Sequence, residues 1–284
     1  MSGTSVIAEA RQRLFAHLLG SILTLDTDGV PSLADRGSRA SVAIAQHLCR
    51  QLGELRVAIK QPGQGQGKVF EKAVEAFVSS VFGELQHLRP GRWLGTEEKG
   101  FLLSDFEQYE HLQRLSELAE KHPELASILG NDYVIKPDLI LARLPESDAA
   151  INAHKVLVGD GLASESALRE SNNVRPILHA SISCKWTLRS DRAQNARSEA
   201  LNLIRNRRGR APHIVIVTAE PTPSRLASLA LGTGDLDCVY HIALYELRNS
   251  LLELAYEDAL DTFDRMVEGK RLKDISDLPL DLAV

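Results

Sequence analysis

From Ile177 to Trp186 the chain alternates. Ile177, His179, Ser181 and Ser183 fall on one side; Leu178, Ala180, Ile182, Cys184 and Trp186 fall on the other. A period of two is the pattern of a strand, and this one ends by presenting Lys185. Helical spacing follows over Asp191 to Arg207. Next comes His213-Ile-Val-Ile-Val-Thr218, a β-branched run between Pro212 and Pro221 that reads as a buried central strand. Two strands flanking a helix commit this part of the chain to an α/β core, a mixed sheet with helices packed on it.

The remaining elements fit that core. Ala8 to Leu19, Ser41 to Leu52, Val69 to Leu88, Asp105 to Ala119 and Leu247 to Met266 read as helices, and Tyr133 to Leu141 and Cys238 to Leu244 as strands. Thr24 to Arg39 and Pro145 to Arg175 read as irregular, polar segments, and Gln61 to Gly67 as a flexible turn. With 284 residues and 44% hydrophobic content, one sizeable core is expected. The expectation is a single domain over 1–284. It has an N-terminal helical part to about 130, a core over 131–245 and a C-terminal helix and tail over 246–284. No apolar run is long enough to cross a bilayer, and Met1 to Arg13 holds Glu9, Arg11 and Arg13 in place of a signal-peptide core. Cys49, Cys184 and Cys238 form no C-x-x-C pair and are odd in number, which fits a reducing cytoplasm.

A net charge of −5 argues against a nucleic-acid partner, but its distribution argues for one. Between Lys185 and Arg210 eight basic residues face only Asp191 and Glu199, and phosphate binding depends on where positive charge sits. Several other motifs fail. Gly63-Gln-Gly-Gln-Gly67-Lys68 has the wrong glycine spacing for a phosphate loop, and Val69 replaces its Ser or Thr. The nine histidines make no pair at helical metal spacing. Cys184 lies on the apolar side of its strand, where a structural thiol is expected.

An acid–lysine set holds up better. Phosphodiester hydrolysis needs hydroxide at neutral pH and counter-charge for the pentacovalent phosphate. Carboxylate-held magnesium supplies both, and a lysine can orient the water. Asp138 follows Pro137, and Lys185 ends the later strand, as in the PD-(D/E)xK nucleases. The carboxylate usually found two positions before the lysine is here Ser183, and Glu199 on the following helix can supply the missing charge. Arg189-Ser-Asp-Arg192 follows at once. Arginine forks pair with guanine O6 and N7, while a carboxylate accepts from cytosine N4, so these residues suit a CCGG target.

From about Phe15 to Val284 the chain resembles the NgoMIV-type restriction endonucleases, the CCGG-recognising group of that superfamily. The resemblance is closest through His179 to Trp186, Arg189 to Glu199, Pro212 to Arg225 and Arg271 to Val284. It implies a restriction-endonuclease-like fold and a type II enzyme that uses magnesium, two ions per site, to cut duplex DNA at GCCGGC. Cleavage would follow the first guanine and leave 5′-phosphate ends. Asp138 and Glu199, with the backbone carbonyl of Cys184, would hold metal. Lys185 would be catalytic, with Glu71 and Ser183 in support. Arg189, Asp191 and Arg192 would read the inner bases, Arg225 and Asp35 the outer G·C pair, and Gln64 the minor groove. The family's Ala-Asp-Gly-Ser is here Ala34-Asp35-Arg36-Gly37-Ser38, with an added charge. The implied partners are double-stranded DNA, three further copies in a dimer of dimers, and a methyltransferase protecting the same site. Two alternatives share the chemistry: a related nuclease with a different CCGG-containing target, and a repair or junction-resolving enzyme.

Overall fold

The computed structural model describes residues 4–58, 63–95, 101–122, 124, 136–232 and 234–284. In chain order its helices are α1 (Val6–Ser21), α2 (Arg39–Leu52), α3 (Gly63–Phe82), α4 (His111–Lys121), α5 (Asp148–Ile151), α6 (Ser190–Asn206), α7 (Pro223–Ala230), α8 (Leu244–Glu253), α9 (Glu257–Glu268) and α10 (Leu278–Asp281). Its strands are β1 (Thr24–Leu25), β2 (Arg56–Val57), β3 (Trp93–Gly95), β4 (Leu139–Arg143), β5 (Ile177–Lys185), β6 (His213–Thr218), β7 (Cys238–His241) and β8 (Leu272–Asp274). β1 and β2 form a small parallel pair; the others hydrogen-bond in the order β3-β4-β5-β6-β7-β8. The sheet is mixed, as the alternating and β-branched runs led one to expect. The chain packs as two compact units, one of Met1–Leu85, Ser183–Ser198 and Ile214–Val284, the other of Gln86–Ile182 and Glu199–His213.

In the first unit the parallel strands carry the core. Val215 pairs with Cys238 and Thr218 with His241, while Val239 pairs with Leu272. Every residue of β7, and all of β6 but His213, is buried, which explains why the β6 run shows no polar alternation. Helix α1 starts where Ser5 accepts from the Ala8 amide (3.4 Å), and it buries Ala10, Leu14 and Leu18 at fourfold spacing. Ser38 caps α2 in the same way through the Ser41 amide (3.2 Å). Gly53 closes α2 with φ of 146°, in a region that a side chain would strain.

In the second unit β4 runs antiparallel between β3 and β5, with Trp93 opposite Arg143 and Leu139 opposite Ile182. The polar side of β5 is covered too: His179 and Ser181 are both buried. Gln108 supports this strand, its amide nitrogen donating to the Leu178 carbonyl (2.8 Å) while its oxygen accepts from the Leu178 amide (2.9 Å). The His179 ring meets Trp93 and His213 edge-on, at centroid distances of 5.0 and 4.9 Å. The excursion from Pro145 to Arg175 is tied down by a bidentate pair between Arg169 and Asp148 (2.9 and 2.6 Å).

Several sequence expectations need correction. The glycine-rich segment is no turn from Gly63 onward. It opens α3, and burial of Gln66 and Phe70 offsets the roughly 1 kcal/mol that each helical glycine costs. The single C-terminal helix is two, broken where Ala255 takes φ of 55°. Pro137 precedes β4, which begins at Leu139; Tyr133 to Ile135 lie outside the described residues. The helix expected from Asp105 starts at His111, after two short 3-10 turns.

His241 is expected to make the fold acid-sensitive. Its ring is fully buried, with Nδ1 accepting from the Ala243 amide (3.0 Å) and Nε2 donating to the Glu220 carbonyl (3.1 Å). Burial pushes its pKa down to about 4 from 6.5. Below pH 6.5 the unfolded chain takes up a proton that the native state refuses, so stability is full above that value and falls towards pH 4. Urea unfolding should show a loss of roughly 2–3 kcal/mol between pH 7.5 and 4.5 that His241→Asn lacks. Equal pH dependence in the two proteins would contradict this.

Candidate active site and DNA-reading surface

The first unit holds the end of β5, α3 and the loops around α7. Trp186, one residue past Lys185, is buried against Phe70 of α3, ring centroids 5.2 Å apart at 65°. This contact fixes the strand end to the helix that carries Glu71, the neighbour of Phe70. Glu71, Ser183 and Lys185 are each half-buried. Cys184 is buried on the apolar side, as its place in the alternation implied. The strand then turns: the Trp186 carbonyl accepts from the Ala219 amide (3.2 Å), and the Leu188 amide donates to Glu220 Oε2 (2.8 Å). That turn launches Arg189, which is exposed, and α6, whose first turn contains Asp191 and Arg192. Arg192 Nη1 reaches Thr187 Oγ1 at 3.4 Å.

Asp35 and Arg225, far apart in sequence, are brought together. Arg225 Nη2 pairs with Asp35 Oδ2, while Asp35 Oδ1 accepts from the Gly37 amide (3.0 Å). The Asp35 amide donates to Ser41 Oγ (3.0 Å), which anchors the loop to α2. The Arg225 hydrogen bond, the Gly37 amide and the more distant Arg189 charge hold the Asp35 carboxyl below the usual carboxylate range. The added residue does not disturb the pair. Arg36 turns to Asp26 (Nε to Oδ2 3.0 Å) and Asp28 (3.2 Å), so its charge is neutralised within its own loop.

Asp138 and Glu199 belong to the second unit. Asp138 immediately precedes Leu139, the first residue of β4, and is half-buried; Glu199 is half-buried on α6. Among the described residues no three His, Cys, Asp or Glu side chains gather as a metal cage. Gln64 lies on the first turn of α3.

Glu220 escaped the sequence reading. It is fully buried between β6 and α7, and burial pushes its carboxyl pKa up while the Leu188 amide pulls it back. The available signal was an acid placed directly after a buried apolar run, in Thr218-Ala-Glu-Pro.

The sequence matches the NgoMIV restriction enzyme family over residues 13–284. It is 55% identical over 279 residues, 96% of this chain and 97% of the other, to the type II restriction enzyme NgoMIV of Neisseria gonorrhoeae. With a match of this length and identity, the chain belongs to the NgoMIV restriction enzyme family and is a DNA-binding type II restriction endonuclease, a site-specific deoxyribonuclease.

Proposed function

We propose that the enzyme hydrolyses both strands of duplex DNA at GCCGGC in a magnesium-dependent reaction, cutting after the first guanine to leave 5′-phosphate ends. The Asp35–Arg225 pair carries the six-base target. An arginine fork suits guanine O6 and N7, and an ionised carboxylate accepts from cytosine N4, so one pre-paired couple has the chemistry to read one G·C pair. Arg189, Asp191 and Arg192 are assigned the inner bases, and Gln64 the minor groove. Three observations support this: the exposure of Arg189, the opening of α6 at Ser190, and the place of Gln64 on the first turn of α3.

For the chemistry we assign Asp138, Glu199 and the Cys184 carbonyl to metal, two ions per site. The donor set fits: all are hard oxygens, and magnesium takes one or two carboxylates with water and phosphate oxygens completing its shell. A cage of three side chains is therefore not required. Bound magnesium would acidify water and neutralise phosphate charge. Lys185 orients the attacking water and offsets charge on the phosphate, Glu71 adds carboxylate charge beside it, and Ser183 keeps the position two before the lysine small and polar.

A palindrome requires at least a dimer, and we assign a dimer of dimers. A host carrying GCCGGC sites needs a methyltransferase that protects them. The three cysteines are buried and none is in a disulfide, which fits the cytoplasmic setting we assign. Among the described residues no helix is long and apolar enough to cross a membrane. Digesting a plasmid of known sequence and sequencing the ends tests the target. Discrete fragments with 5′-CCGG overhangs, formed only with magnesium, are expected. Ends at a different palindrome, or ends without any shared sequence, would overturn it.

A further inference from the structure

The two groups of proposed base-reading residues share a buried anchor. The Glu220 side chain is inaccessible to solvent, yet both of its oxygens are engaged. Oε2 accepts from the Leu188 amide (2.8 Å), directly before Arg189, and Oε1 accepts from the Thr222 amide (3.1 Å), directly before α7. Arg225, on the first turn of α7, holds Nη1 at 3.9 Å from the same Oε2 while its Nη2 is on Asp35. The backbone is fixed too: the Glu220 amide donates to Thr218 Oγ1 (3.2 Å) and its carbonyl accepts from His241 (3.1 Å). A buried carboxylate is costly and survives only where its acceptors are satisfied. Here each acceptor is met by an amide at the root of a segment assigned to DNA reading, and the charge sits beside the guanidinium assigned to the outer pair.

We propose that Glu220 is a specificity-positioning residue, a buried carboxylate that sets the Arg189–Arg192 segment and Arg225 in one register so that inner and outer base pairs are read together. The proposal rests on the assignment of those residues to base reading. Glu220 touches no substrate; it acts through the two loops it joins. Glu220→Gln keeps the volume but turns one acceptor into a donor, which must face the Leu188 or the Thr222 amide, and it removes the charge beside Arg225. The base-contacting side chains all remain, but their spacing is no longer enforced.

The test compares single-turnover cleavage of the cognate duplex with duplexes altered only in the outer pair, for wild type and Glu220→Gln, with thermal unfolding recorded for both. The discrimination ratio is expected to fall at least about tenfold, with cognate cleavage within a few-fold of wild type and one cooperative unfolding transition. An unchanged ratio beside a lowered Tm would show a merely structural residue and overturn the proposal, as would an equal loss on every duplex. If Glu220→Gln does not fold, Glu220→Asp is read by the same criteria, because the shorter carboxylate cannot span both amides. The wild-type duplex series separates the two claims. A preference for a different outer pair overturns the target assignment and leaves the ratio as the measure of Glu220, whereas wild-type indifference to the outer pair overturns both.

Discussion

Replacing Lys185 with alanine is expected to lower the single-turnover rate on cognate DNA by on the order of 10³-fold or more, about 4 kcal/mol of transition-state stabilisation. The reason is chemical. Phosphate hydrolysis gathers negative charge on the equatorial oxygens, and removing the ammonium takes away both counter-charge and water orientation. Binding should survive, because the residues assigned to the inner bases, Arg189, Asp191 and Arg192, lie beyond Trp186, whose packing on Phe70 does not depend on the lysine side chain. Gel-shift assays with calcium in place of magnesium should therefore show near-normal affinity alongside the lost rate. Retained cleavage would remove Lys185 from the chemistry. Loss of binding and cleavage together would make it a folding or DNA-contact residue.

Arg11→Ala is expected to destabilise the protein by about 3–5 kcal/mol, the usual result of leaving a buried ion without its partner. Arg11 grips Asp274 through Nε (3.0 Å) and Nη2 (2.9 Å), and Glu246 through Nη1 (2.8 Å) and Nη2 (2.6 Å). Asp274 is wholly buried and also accepts from the amides of Leu244 and Ser276 (both 3.0 Å). One guanidinium thus joins α1 to the start of α8 and the end of β8. Adding Asp274→Asn should recover part of the loss, because the stranded charge goes with it. Urea unfolding of the two variants decides the matter, and a loss below about 1 kcal/mol for Arg11→Ala would show that the carboxylates find other compensation.

What was legible in the sequence depended on how local its cause was. The β6 strand could be read because its β-branched run has one explanation, burial on both faces. The helix α1 was clear from the spacing of Ala10, Leu14 and Leu18. The start of α3 was not, because three glycines oppose a helix and only tertiary burial of Gln66 and Phe70 overrides them. The break between α8 and α9 was hidden because Ala255, a strong helix former, takes a left-handed conformation that no local signal announces. β3 and β8 are only three residues long, too short to show a period. In the candidate site the chemistry was legible but the partnership was not. Asp35 and Arg225 were each named, but their contact across the fold, and the neutralisation of Arg36 by Asp26 and Asp28, needed coordinates. Glu220 was missed for the same reason: an acid in a Pro-rich loop looks solvated until the amides that face it are known.

We assign Asp138 and Glu199 to the metal beside which Lys185 works. Anomalous diffraction from crystals of the enzyme with cognate DNA and manganese tests it most directly. Manganese peaks are expected at the scissile phosphate within bonding distance of the Asp138 and Glu199 carboxylates and the Cys184 carbonyl. A peak at that phosphate held by other residues, with either carboxylate remote from it, would remove Asp138 and Glu199 from the metal site.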